Sequence, residues 1–216
     1  GCLWMHLGMT GRILVVPSTH IADSKHLHVR ITLDNQTQLL YEDPRRFGII
    51  AWTNGQHSDP PTSTLGAEPL DPTFSVDDFH QKMLASNKAI KPWLMDGRAI
   101  AGVGNIYACE ALFDAEISPF VGAKTLTKKQ AEELYGHTKR ILARAISAGG
   151  ATLRDYRRPD NTPGVAQNFH RVYDRAGQAC VVCGTGIEQQ AQDGRTTFWC
   201  PKCQGATAVS TSEATS

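Results

Sequence analysis

Cys180-Val181-Val182-Cys183, sixteen residues, then Cys200-Pro201-Lys202-Cys203 is the stretch that decides how this chain is read. Each C-x-x-C pair can grip one metal ion from a single tight turn, and two pairs at this separation suit a tetrahedral zinc site. Thr196 to Cys200 reads as a short strand and Gly194-Arg195 as the hairpin tip before it. The local structure is then a small β-ribbon closed by metal. Two disulfides or four free thiols are the alternatives. A cytosolic chain rarely keeps disulfides, and a secreted one has no need of such paired spacing. Four thiolates leave no coordination position open, so the expected zinc is single and structural. What the ribbon holds up is the next question, and Arg195 at its tip is the first clue.

Outward from the ribbon, the composition is that of an ordinary globular protein, 216 residues with 41% hydrophobic and 20% charged. That length can bury a real core and suits two or three small domains. No run of about 18 apolar residues is present to span a membrane. Gly1 to Val16 lacks the basic head and apolar block of a signal peptide, so a cytoplasmic location is expected. Cys2 and Cys109 read as core thiols. The net charge of +1 hides an asymmetry: residues 1–80 carry five Lys/Arg against nine Asp/Glu, whereas residues 139–175 carry eight against three. The basic segment lies next to the ribbon, as a phosphate-facing surface would. A solvated helix face would look the same.

The chain begins with apolar segments at Leu3–Leu7, Ile13–Val16, His28–Leu33, Leu39–Tyr41 and Ile49–Trp52, which predict an antiparallel β region. Gly8 and Gly11 in His6-Leu7-Gly8-Met9-Thr10-Gly11 predict a tight turn with close backbone approach. Asp43-Pro44-Arg45-Arg46-Phe47-Gly48 puts two guanidiniums and an aromatic on one loop. Arginine pairs with phosphate or base edges and phenylalanine can wedge a base step, although solvated arginines and a Phe folded into the core would fit as well. After a Pro-, Ser- and Thr-rich linker, Ser75 caps a helix that places Val76, Phe79, Met83 and Leu84 on one face. Gly102-Val103-Gly104-Asn105 opens another helix, from Ile106 to about Ala115, whose free N–H groups would suit an anion. Thr127 to Gln130 is a capping box for a long helix carrying Ala131, Leu134, Thr138, Ile141, Leu142, Ala145 and Ile146, ended by Gly149-Gly150. The last two helices with the turns between them predict a helix–two turns–helix unit. Arg154 to Asn168 reads as a mobile loop by composition.

Five motifs now stand in one order: the His6–Gly11 turn, the Asp43–Gly48 loop, Ile90-Lys91-Pro92-Trp93-Leu94-Met95-Asp96, Gly102–Ala108 and the four-cysteine ribbon. In this the chain resembles the bacterial formamidopyrimidine-DNA glycosylases, the MutM type, from residue 3 to Gln204. The resemblance implies an α+β fold: a partial antiparallel β-sandwich, then a helix–two turns–helix domain and a C-terminal β-ribbon zinc finger. The domains implied are 1–56 for the C-terminal part of the sandwich, 57–74 for a linker, 75–168 for the helical domain, 169–204 for the finger and 205–216 for a disordered tail. It also implies base-excision repair of duplex DNA by a monomer. An oxidised purine such as 8-oxoguanine or a formamidopyrimidine is flipped out, its glycosidic bond is cut, and the strand is nicked by β,δ-elimination. Met9, Arg45 and Phe47 would fill the void, with Arg45 facing the orphaned cytosine. His26, Arg45, Lys91, Asn105 and Arg195 would contact DNA, and the 155–165 loop would close over the flipped base. Arg195 would be catalytic, acting on the leaving phosphate. Since a guanidinium barely ionises, that role is read as electrostatic and not as proton donation.

One departure matters. Members of the family start with Pro-Glu, whose proline amine attacks the sugar carbon, and an upstream lysine aids the elimination; Gly1 falls some way into that pattern instead. The expectation is a fragment of a longer enzyme, inactive alone. The alternatives are a truncated DNA-binding protein without lyase activity, and the endonuclease VIII branch that prefers oxidised pyrimidines.

Overall fold

The computed structural model describes residues 1–21, 24–54, 64–150 and 158–205. They form two compact units, Gly1–Ser63 with Arg144–Phe169, and Thr64–Ala143 with His170–Ser216. The expected tail, apart from Gly205, and residues 155–157 of the 155–165 loop lie outside the described residues.

In the first unit, apolar–polar alternation gives five antiparallel strands: β1 Cys2–His6, β2 Arg12–Pro17, β3 Leu27–Thr32, β4 Thr37–Glu42 and β5 Ile49–Thr53. β1 pairs with β5, and β4 lies between β2 and β3. As the central strand, β4 buries Gln38, Leu40, Tyr41 and Glu42. Its polar side chains are paired. Glu42 accepts from its cross-strand neighbour Arg12 (Nε–Oε2 2.7 Å), and Gln38 Nε2 donates to the carbonyls of Pro17 and His20. An unpaired buried polar group costs about 1–3 kcal/mol, so these partners hold the register. Cys2, expected in the core, is exposed because it is the first residue of β1, opposite Thr53 at the end of a two-stranded sheet; Cys109 is buried.

In the second unit, Ser75 and Asp78 form a reciprocal cap on α1, Val76–Leu84. The Ile90–Leu94 stretch of the third motif is a short helix, α2. α3 runs Asn105–Asp114; α4, Lys128–Ser147, starts in this unit with the Thr127–Gln130 box formed, and its last residues, with left-handed Gly149 and Gly150 after them, belong to the first unit. Phe79, Met83, Ile90, Trp93, Leu94, Leu112 and Leu134 make the core. Leu84 and Ile146 were expected on buried faces but are exposed, 44% and 67%, since each lies one residue, about 100° round the helix, beyond the buried Met83 and Ala145. No helix among the described residues is long and apolar enough to cross a membrane.

The ribbon is β6 Glu188–Gln192 paired with β7 Arg195–Trp199. Register pairs Gln192 with Arg195, which leaves Asp193-Gly194 as a two-residue turn with both φ angles positive, the turn that suits hairpin twist. Arg195 is therefore the first residue of β7 and not the tip itself. The ribbon is docked on α3: Glu110 accepts N–H bonds from Arg171, Val172 and Tyr173 at 2.8–3.0 Å, and Phe113, Val172, Ile187 and Phe198 share a second core. Replacing Glu110 by Ala strands these donors and is expected to cost about 3 kcal/mol. Chemical denaturation would measure it, and an unchanged midpoint would mean the ribbon is held by its other contacts.

Candidate functional site

Each cysteine pair closes its own turn. Val182 N–H points at Cys180 Sγ and Cys203 N–H at Cys200 Sγ, both at 3.4 Å, while left-handed Gly184 and Gly205 let the chain leave each turn. The four Sγ atoms lie within 4.8 Å of one another, with Cys183–Cys200 at 3.4 Å and Cys180–Cys203 at 3.8 Å. A zinc–sulfur bond of about 2.3 Å puts tetrahedral sulfurs about 3.8 Å apart, so the donor set fits zinc. The thiols cannot ionise together unaided. Thr185 draws Cys183 down to about 6, while burial and the neighbouring sulfurs push Cys200 and Cys203 up. A divalent cation resolves that conflict. Cys180, Cys183, Cys200 and Cys203 hold one structural zinc, as the spacing implied.

In the first unit, the turn after β1 meets the loop between β4 and β5. A Cβ on Gly8, itself at φ 60°, would come 2.8 Å from the Phe47 carbonyl carbon, and one on Gly48 would collide with the Tyr41 hydroxyl. Only glycine lets these two backbones touch. Between them sits the buried Asp43 carboxylate. It accepts from Thr10 Oγ1 (2.6 Å), Gly48 N (2.8 Å), Tyr41 Oη (3.1 Å) and Arg45 N (3.3 Å). Burial works against its charge, but the bonds led by Thr10 and Gly48 win and lower its pKa to about 2. The Asp43 carbonyl faces His28 Nε2 at 2.9 Å, and its N–H donates to the His26 carbonyl. His26 is thus tied to the loop through its backbone, and its ring is half-buried. Asp43 and Thr10 organise this region, and the sequence reading assigned neither a role. The signal was faint: one acidic residue before Pro44.

Above that knot stand Met9, Arg45 and Phe47. Met9 is 62% exposed and Phe47 54%; the guanidinium of Arg45 lies over the Phe47 ring at 4.7 Å, and its Nη1 lies 3.6 Å from Met9 Sδ. Phe47 is not folded into the core. Arg46, at φ 58°, takes the left-handed conformation uncommon for a side-chain-bearing residue, between Asp43 and the outward Phe47.

In the second unit, Lys91 and Arg195 line one polar pocket of about 470 Å³, with Lys88, Asp96, Arg98, Gln192 and Asp193. Lys91, 1% exposed on the first turn of α2, has its pKa lowered, first by burial and further by Arg195, against Cys109 and Asp193. Lys88 is neutralised by Asp96 at 2.6 Å. The remaining cations, Lys91, Arg98 and Arg195, outnumber Asp193, so the pocket suits an anion. Asn105 is the first residue of α3, one earlier than expected. Its Nδ2 donates to the Thr196 carbonyl at 2.9 Å, and its buried Oδ1 has no partner among the described residues. The resemblance named Lys91, Asn105 and Arg195 one by one as DNA contacts; the pocket that joins Lys91 to Arg195 is seen only in the fold.

Comparison with known proteins gives three family models in chain order. They are the formamidopyrimidine-DNA glycosylase N-terminal domain over residues 1–50, the formamidopyrimidine-DNA glycosylase H2TH domain over 65–157, and the zinc finger found in FPG and IleRS over 177–205. The formamidopyrimidine-DNA glycosylase of Edwardsiella ictaluri is 41% identical over 204 residues, 94% of this chain and 76% of that protein. The MutM (Fpg) protein from Thermus thermophilus superposes with a TM-score of 0.83 at 41% identity, over 94% of this chain and 75% of that one. A MutM structure in complex with carbocyclic 8-oxo-G containing DNA gives a TM-score of 0.84 at 32% identity, over 94% and 74%.

Two outcomes are expected. Asp43→Ala leaves the Thr10 hydroxyl and Gly48 N–H without their acceptor and costs about 2 kcal/mol by thermal or chemical unfolding. In the unsubstituted chain the carboxylate's contribution is present above its unfolded pKa of 3.8 and is lost as pH falls toward about 2, a pH dependence the variant lacks. Cys200→Ser opens the thiolate set, and metal analysis is expected to show zinc lost together with ribbon structure; full zinc retention would contradict the assignment.

Proposed function

Because the chain belongs to the formamidopyrimidine-DNA glycosylase family, we propose that it acts in base-excision repair, in the removal of oxidised purines from duplex DNA and the nicking of the strand. The observation that carries this reading is the exposed Met9–Arg45–Phe47 stack. Leaving a methionine and a phenylalanine more than half in water forgoes roughly half of the about 1.5–3 kcal/mol that full burial of each would give, so the fold builds a rigid support under apolar groups it does not bury. A duplex with one base extruded offers a gap of matching chemistry. Filling it offsets the unstacking cost of a few kcal/mol.

In this reading Phe47 wedges the base step and Met9 fills the space vacated. Arg45, all donors and no acceptors, turns toward the acceptor edge of the orphaned cytosine. Its stacking on Phe47 limits its motion before DNA arrives. His26, Lys91 and Asn105 meet backbone phosphates. Arg195 stabilises the phosphate that leaves on elimination, acting as a fixed cation next to the buried Lys91. The zinc supplies no chemistry; Cys180, Cys183, Cys200 and Cys203 use it to hold the ribbon that presents Arg195.

The test compares binding to duplexes with 8-oxoguanine opposite cytosine, an abasic site, or no damage, with borohydride trapping in parallel. Damaged duplex is expected to bind more tightly, with affinity falling steeply as salt rises. Phe47→Ala is expected to reduce the damage preference by about tenfold, or about 1.4 kcal/mol, while leaving undamaged binding in place. Equal, salt-insensitive affinity for all three duplexes would refute the proposal.

A further inference from the structure

We propose that Gln192 is a positioning residue for the anion site, holding Arg195 in register with Lys91 through one shared backbone carbonyl. The inference rests on the reading of Lys91 and Arg195 as phosphate contacts. Gln192 lies at the end of β6, directly opposite Arg195, so both side chains lie on one face of the ribbon with Thr197 two residues on. Its Nε2 donates to the Pro119 carbonyl at 3.0 Å, and its Oε1 accepts from Thr197 Oγ1 at 2.9 Å. The same Pro119 carbonyl accepts the backbone N–H of Lys91 at 3.4 Å. One oxygen thus joins the helix that carries Lys91 to the strand pair that carries Arg195.

Three features make this a positioning device and not a surface contact. First, the amide orientation is dictated: a carbonyl can only accept, so Nε2 must face Pro119 and Oε1 is left for Thr197. Second, both anchors are rigid. Thr197 is fully buried, and the segment after Pro119 is bonded to the start of α2 by Ile90 N to the Val121 carbonyl (2.7 Å) and Ala123 N to the Lys88 carbonyl (2.9 Å). Third, Gln192 itself lines the pocket with Lys91 and Arg195. Arg195 follows a turn whose Asp193 and Gly194 have no close packing at the glycine, so the hairpin end needs a lateral tie. The zinc, Glu110 and Gln204 hold the ribbon's base; at its far end Asn105 holds the β7 backbone at Thr196, and Gln192 ties β6 to the segment that meets Lys91.

The experiment is a double-mutant cycle on binding to abasic-site duplex, measured across a range of salt, with zinc content and thermal midpoint recorded for each variant. Arg195→Ala is expected to weaken binding and to lower the slope of log K against log salt by about 1. Gln192→Ala is expected to weaken binding severalfold and to lower the slope in the same sense, with zinc and thermal midpoint unchanged. In the Arg195→Ala background, the Gln192→Ala effect should vanish, because there is no guanidinium left to place. Gln192→Met keeps the length without adding charge but cannot donate to Pro119, and should bind as weakly as Gln192→Ala. Additive losses, or a Gln192→Met that binds like the unsubstituted chain, overturn the positioning role while leaving the site intact. Should Gln192→Ala lose zinc, Gln192→Met at full zinc decides the question by itself. If Arg195→Ala changes neither affinity nor slope, the phosphate site falls and the role of Gln192 falls with it.

Discussion

Closure of four thiolates on one zinc is the constraint on which the second unit depends. The segment from Cys180 to Cys203 has few residues to bury, and a two-stranded ribbon alone is marginal in water. Metal binding supplies that folding free energy, because a formed site does not exist in the unfolded chain. Once closed, the ribbon gains an inner face: Ile187, Phe198 and Cys200 complete a core with Cys109 and Phe113 of α3. The metal thus acts through packing at one side and through reach at the other, where β7 begins with Arg195.

Polar side chains then convert this packing into a defined position. Glu110 accepts three consecutive N–H groups where the chain enters the finger, Gln204 joins the Cys200 N–H to the Ile117 carbonyl, and Asn105 joins α3 to the Thr196 carbonyl. Apolar contacts alone tolerate sliding. Directional bonds to backbone do not, and a buried lysine beside an arginine needs that precision, since like charges repel more strongly away from water.

The first unit solves a related problem with a carboxylate instead of a metal. Asp43 gathers donors from Thr10, Tyr41, Arg45 and Gly48, and so holds together two loops that also touch through Gly8 and Gly48. The loops so held carry Met9, Arg45 and Phe47 into solvent. Local rules are broken there, with a left-handed Arg46 and exposed apolar side chains, which is where a functional surface is expected to depart from good packing.

The sequence by itself determined the elements that rest on local chemistry. Cysteine spacing named the metal site, capping residues marked α1 and α4, and glycine pairs marked the turns, because each depends on neighbours a few residues apart. Alternation likewise marked the strands to within one or two residues. It misplaced Arg195 by one position, since which residues close a hairpin is settled by register with the partner strand. It took Cys2 and Ile146 for buried residues, since periodicity tells neither where an element outlasts the core it packs on nor how wide the buried face of a helix is. Only the tertiary structure decided that Phe47 points outward, that Asp43 ties four donors together, that Lys91 and Arg195, over a hundred residues apart, share one pocket, and that Lys91 and Gln192 meet at the Pro119 carbonyl. Those facts rest on contacts between segments distant in the chain, and no spacing within a segment encodes them.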